Sequence, residues 1–192
     1  MTFKSVAIFL TIFGLFNGMS SSAPTMYDLV VKRVECIQLE ENYTTDLSCS
    51  VNLKNATTTY MQINATFDYD LIDPIIKVTF NYRFTVYRKF LIDVAEDFCG
   101  FYKKGKNAPV INLIWKTLNE ASNFAEGCPF EKHKMWYVKN YVFDSSQFPP
   151  ALPTGDYRID VIIHNSADKK DILTVQIFTV IKRKLMADLK WN

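Results

Sequence analysis

Four cysteines, two histidines and one tight carboxylate group are the side chains whose types could do chemistry in this chain. Asp93, Glu96 and Asp97 form the carboxylate group, and paired carboxylates can act as general acid and base. The spacing points elsewhere. Asp93 followed by Glu96 resembles a capping box, in which the carboxylates satisfy free amide groups at a helix start. His133 lies in Glu131-Lys132-His133-Lys134 and His164 precedes the polar loop Asn165-Ser166-Ala167-Asp168; neither has a catalytic partner at a recognisable spacing. No nucleophile elbow, zinc-protease helix or glycine-rich phosphate loop occurs, and only 6 glycines are available to build one. The cysteine spacing fits neither paired zinc knuckles nor a redox C-x-x-C. The chain therefore reads as a non-enzyme, with no metal and no cofactor expected.

The cysteines speak instead to compartment. Lys4, the apolar run Val6–Phe16 and the small residues Gly18–Ala23 make a signal peptide over 1–22, ahead of one domain at 23–192. Three N-x-[ST] sequons, at Asn42, Asn55 and Asn64, agree with a secretory route and an extracellular destination. Four cysteines in an oxidising compartment allow three connectivities. The local pairing, Cys36–Cys49 with Cys99–Cys128, is expected, each bridge closing a short loop. No further run is long and apolar enough to span a membrane. A formal net charge of +2 argues against nucleic acid as a partner. Aromatic residues are the compositional excess, with 15 Phe, 10 Tyr and 3 Trp.

Period-2 alternation dominates the rest. Leu47, Cys49, Val51 and Leu53 share one strand face; Met61, Ile63, Ala65 and Phe67 share another, with Asn64 on the polar side. The longest alternation runs from Ile76 to Val86 and places Phe80, Tyr82, Phe84 and Val86 inward. From Asp93 the period turns helical. Val94, Phe98 and Phe101 suggest a short helix, and Asn107 and Pro109 start a second whose apolar stripe is Ile111, Ile114, Trp115 and Leu118. Met135–Phe143, Tyr157–Ile163 and Ile172–Ile181 read as later strands. The expected fold is mainly β: an immunoglobulin-like, two-sheet antiparallel sandwich of about seven or eight strands with one helical excursion, about 94–122.

The order Asp97-Phe98-Cys99, Asn107-Ala108-Pro109, Ser122-Asn123, Cys128-Pro129 and Leu152-Pro153-x-Gly155-Asp156-Tyr157-Arg158 resembles an insect family of secreted proteins labelled as a domain of unknown function, related to the CheB chemosensory proteins. That group is distantly similar to the ML lipid-recognition superfamily, which includes the ganglioside activator protein and holds lipid between two sheets. The resemblance implies an ML-like sandwich that binds a lipid or hydrocarbon-like ligand in chemosensory or pheromone-related signalling, with a membrane receptor or channel as a further partner. It carries over no catalytic residue. The expected lining is Phe80, Tyr82, Phe84, Ile114, Trp115, Leu118, Tyr157 and Ile159. The alternative is a secreted interaction module with a filled core, acting on a receptor, channel or matrix partner.

Overall fold

Alternating apolar side chains on eight strands bury one face of each of two antiparallel sheets against the other. The computed structural model describes residues 27–53, 58–105, 107–148 and 152–184. The predicted signal at 1–22 and the sequon at Asn55 lie outside them. The strands are β1 (Tyr27–Gln38), β2 (Thr44–Leu53), β3 (Thr59–Phe67), β4 (Pro74–Arg83), β5 (Tyr87–Asp97), β6 (Met135–Tyr141), β7 (Gly155–Asn165) and β8 (Lys170–Arg183). Two helices, α1 (Phe98–Lys104) and α2 (Pro109–Ala121), stand between β5 and β6. One sheet has five strands in the order β1-β8-β7-β4-β5, the other three in the order β2-β3-β6. The fold is the expected mainly-β sandwich with a helical excursion. None of the helices among the described residues is long and apolar enough to cross a membrane.

The sheets are tied at two places. Cys36–Cys49 joins β1 to β2, the edge strands that meet along one side of the sandwich. Cys99–Cys128 ties the first turn of α1 to the segment that leads into β6.

Two local expectations fail, each for a stated reason. The alternation through Ile76–Val86 is not one strand: β4 ends at Arg83 and the chain turns, with the Phe84 amide donating to the Val86 carbonyl. Phe84 and Val86 are consequently 60% and 57% exposed rather than inward. The helical excursion also begins later than 94. Asp93, Val94 and Glu96 belong to β5, whose hydrogen bonds to β4 outweigh the helical spacing of its apolar residues. Asp97, not Asp93, caps α1, its carboxylate accepting from the Gly100 amide at 2.7 Å.

One end of the sandwich is closed by aromatic rings. Tyr157 is 1% exposed at the start of β7 and donates its hydroxyl to the Pro153 carbonyl four residues upstream, the geometry of a tyrosine corner. Tyr82 donates to the neighbouring Thr154 carbonyl and packs edge-on against Tyr157 and Phe84. Gly155 sits beneath the Tyr82 ring at φ 144°, where an added Cβ would lie 2.8 Å from the Tyr82 hydroxyl oxygen. The Leu-Pro-x-Gly-Asp-Tyr run is thus an aromatic clamp.

Candidate functional site

Between the sheets lies an apolar cavity of ≈ 190 Å³. Its walls follow from strand alternation. Met61, Ile63, Ala65 and Phe67 come from β3; Ile76, Val78 and Phe80 from β4; Ile159, Val161 and Ile163 from β7; Leu173, Val175 and Ile177 from β8. The α2 stripe adds Val110, Ile111, Leu113, Ile114 and Leu118. Phe98, Phe124, Phe130 and Trp136 form a continuous ring cluster at one end, with centroid separations from 4.7 to 6.1 Å. Among the described residues no charged side chain lines the cavity.

The polar atoms of this wall are turned aside. The Trp136 indole N–H reaches the Glu131 carbonyl at 3.4 Å. The Tyr141 hydroxyl meets the Thr117 hydroxyl of α2 at 3.3 Å, and burial pushes its pKa above the ordinary tyrosine value. With neither charge nor an inward-facing acid–base pair, this wall can exclude water and hold hydrocarbon.

The helix α2 forms part of the cavity wall, and three devices hold it. Glu96 is a carboxylate only 7% exposed at the end of β5. Its two oxygens accept from the Val110 and Ile111 amides at 2.9 and 2.8 Å, the free donors of the first α2 turn. Asn107 is not the cap: Ala108 occupies that position, has no side-chain cap, and leaves the role to Glu96 across 14 residues. Past the helix, buried Asn123 pairs with the β6 edge, donating to the Met135 carbonyl and accepting from the Tyr137 amide. Cys99–Cys128 closes the excursion.

The eight expected lining residues divide in half. Phe80, Ile114, Leu118 and Ile159 face the cavity. Tyr82 and Tyr157 are drawn into the aromatic clamp by their hydroxyl bonds, and Phe84 lies beyond the strand end in solvent. Trp115 turns away from the cavity and fills the space between helices, edge-on to Phe98 and Phe101 and packed against Tyr102. The β3 and β8 walls were absent from that set. Their alternation was visible, but a single strand's period does not reveal which strands it faces.

The remaining titratable groups are scattered. His133 is exposed, while His164 pairs across the β7–β8 hairpin with Asp171 at 2.7 Å, beside Lys77. The Lys77 ammonium holds the Asp171 carboxyl below its ordinary value; burial opposes this and His164 adds to it. This group sits on the outer sheet face, away from the cavity. Among the described residues no cluster of three or more His, Cys, Asp or Glu could hold a metal ion. Asn42 is exposed in the β1–β2 loop; Asn64 lies half-buried on β3 and donates to the Ser48 hydroxyl.

Comparison with known proteins gives a partial match. Residues 76–159 match the family described as "Protein of unknown function (DUF1091)", a span that includes most of β4, the helical excursion and the clamp. No curated protein matches. Among solved structures, a Niemann-Pick type C2 protein from Japanese carpenter ant is 13% identical, over 73% of this chain and 94% of that one, with a TM-score of 0.39. Chicken MD-1, solved in complex with lipid IVa, is 13% identical, over 83% and 98%, with a TM-score of 0.42. The C-terminal domain of wzt is 11% identical, over 80% of each chain, with a TM-score of 0.37. At such loose superposition none of these likenesses identifies a function for this chain.

Proposed function

We propose that this is a secreted, non-enzymatic carrier that holds the hydrocarbon part of a lipid or lipid-like molecule between its two sheets. The observation that carries the reading is the ≈ 190 Å³ cavity with its uncharged wall. An apolar cavity of ~150 Å³ stays dry and takes up benzene, so one of this size and lining favours an apolar guest over water. The alternative of a filled-core interaction module accounts less well for that space. Secretion is supported by the signal-like N-terminus and by two disulfides that need an oxidising compartment. A role in chemosensory or pheromone-related signalling, through a membrane receptor or channel, rests on the family resemblance of the sequence motifs.

Each methylene buried against this wall contributes roughly 0.8 kcal/mol before the cost of immobilising the guest. One short or folded chain fits, and a headgroup has no polar partner inside.

Displacement of a fluorescent apolar probe by straight-chain alcohols of increasing length tests this. Affinity should rise with each methylene and level off once the chain fills the cavity. Native mass spectrometry of protein from insect cells should show a co-purifying lipid. If no alcohol displaces the probe and no lipid co-purifies, the carrier reading fails.

A further inference from the structure

Antiparallel order brings four chain segments to one end of the five-stranded sheet: the β4–β5 turn at Phe84–Val86, the start of β7, the end of β8 and the start of β1. That end is both apolar and basic. Phe84 and Val86 project from the turn, 60% and 57% exposed, and Leu53 at the end of β2 is 76% exposed. Six cations surround them: Arg83, Arg88, Lys89, Lys182, Arg183 and Lys184.

Three of these are held by acids. Arg83 pairs with Asp156, Lys89 with Asp93 and Lys184 with Asp28. A further acid, Asp144, turns its carboxylate to the Ser146 amide. Arg88, Lys182 and Arg183 are exposed and have no acidic partner among the described residues.

The opposite end reverses the sign. It also exposes apolar side chains, Tyr69 and Ile72, but sets them among Asp68, Asp70 and Asp73, with Glu40, Glu41 and Asp168 in the neighbouring loops; these acids outnumber the cations Lys132, Lys169 and Lys170 there, of which Lys170 pairs with Glu40. The molecule is therefore polarised along its strands, and a negatively charged surface orients it with the β4–β5 turn first. We propose that this end docks on an anionic lipid surface, with Phe84 and Val86 entering the headgroup layer and Arg88, Lys182 and Arg183 meeting phosphates and carboxylates. The inference rests on surface charge and exposure and stands whether or not the cavity holds a chain. It also gives Phe84 a reason to be aromatic and exposed: its ring rests on Tyr82 of the clamp, 4.9 Å away, so the turn is stiffened from beneath.

Flotation of the purified protein with vesicles tests it. Phosphatidylcholine vesicles containing phosphatidylserine should recruit the protein at low salt, phosphatidylcholine alone should recruit far less, and added salt should weaken the difference. Arg88→Ala with Arg183→Ala should lower the partition coefficient roughly thirtyfold. Phe84→Ser with Val86→Ser should lower it about tenfold or more and remove the part that survives salt. Ile72→Ser, at the acidic end, is the control and should change nothing. All of these residues are exposed: thermal unfolding should be unaltered in the arginine and Ile72 variants and lowered slightly by Phe84→Ser with Val86→Ser, which gives up the ring contact with Tyr82. Failure of phosphatidylserine vesicles to recruit the protein at low salt, or an equal loss with Ile72→Ser, overturns the proposal. Recruitment unaffected by both double variants overturns it as well. Because the probe is the vesicle and the readout is flotation, the result is independent of alcohol displacement from the cavity.

Discussion

The two long sides of the sandwich are built in opposite ways. On one side β1 and β2 pack directly and Cys36–Cys49 joins them, so the sheets converge. On the other side α2 packs against both β5 and β6, holding a helix between the sheets. The cavity wall records the difference. From α2 come Val110, Ile111, Leu113, Ile114 and Leu118, whereas β2 supplies only Leu47 and β1 nothing. A helix has a diameter of about 10 Å with its side chains, close to the spacing of two packed sheets, so one inserted at this edge holds the sheets at that spacing where the other edge converges. A direct disulfide closes an edge; a capped helix keeps one apart.

Breaking the two disulfides separately gives the largest expected contrast. Cys99→Ser with Cys128→Ser removes a bridge spanning 29 residues and should cost about 3–4 kcal/mol, together with much of the capacity for hydrocarbon. Cys36→Ser with Cys49→Ser, spanning 13 residues, should cost about 3 kcal/mol and leave chain-length dependence of binding intact. Denaturant unfolding and probe displacement on both variants measure the contrast; equal loss of binding would mean that α2 has no special part.

Next comes the helix cap. Glu96→Ala strands two amides of α2 at a buried site and should destabilise by about 2–3 kcal/mol, with Glu96→Gln recovering part of that. Hydrogen exchange should quicken across α2 before it does across β1. A uniform increase would argue against a locally held helix.

Trp115→Ala should lower stability by about 1–2 kcal/mol, since this ring is half-buried between α1 and α2, while the binding plateau stays where it was. A shortened or lengthened plateau would put Trp115 back in the wall.

The smallest effects are those of pH. Burial, followed by the nearby Tyr82 and Tyr27 hydroxyls, pushes the Tyr157 pKa to about 12 from 10.0. The folded state resists losing that proton, so the contribution is whole below pH 10 and is lost as pH rises toward 12. Tyr157→Phe should flatten the alkaline limb of a stability–pH curve. Asp171 has the opposite sign: its carboxyl is held below 3.8 by Lys77, so its contribution is present above that value and disappears as acid protonates it. Both its carboxylate and Lys77 are a third or more solvent-exposed, and the acid effect should be slight.

Much of the fold was legible. Alternation in β2, β3, β7 and β8 comes from a half-buried backbone, and a period of two survives in any context that has one wet face. The helical stripe of α2 was legible for the same reason. β5 was not, because Val94 and Phe98 fall at helical spacing while the deciding hydrogen bonds come from β4. Of the candidate lining, Phe80, Ile114, Leu118 and Ile159 followed from facing inward. Phe84 did not because β4 ends before it, Trp115 because it fills the space between the helices, and Tyr82 and Tyr157 because "inward" is a direction and a cavity is a location. Tyr82 and Tyr157 point in but lie beyond the cavity's end.

By itself, then, the sequence determined the strand faces and the apolar stripe of α2. Each is written in residue type and local period. Tertiary structure alone decided that Glu96 caps a helix 14 residues away, that β4 stops before Phe84, and that a space remains beside α2. Those depend on how far apart two sheets are held, a distance set by contacts between segments remote in the chain, to which no local pattern is sensitive.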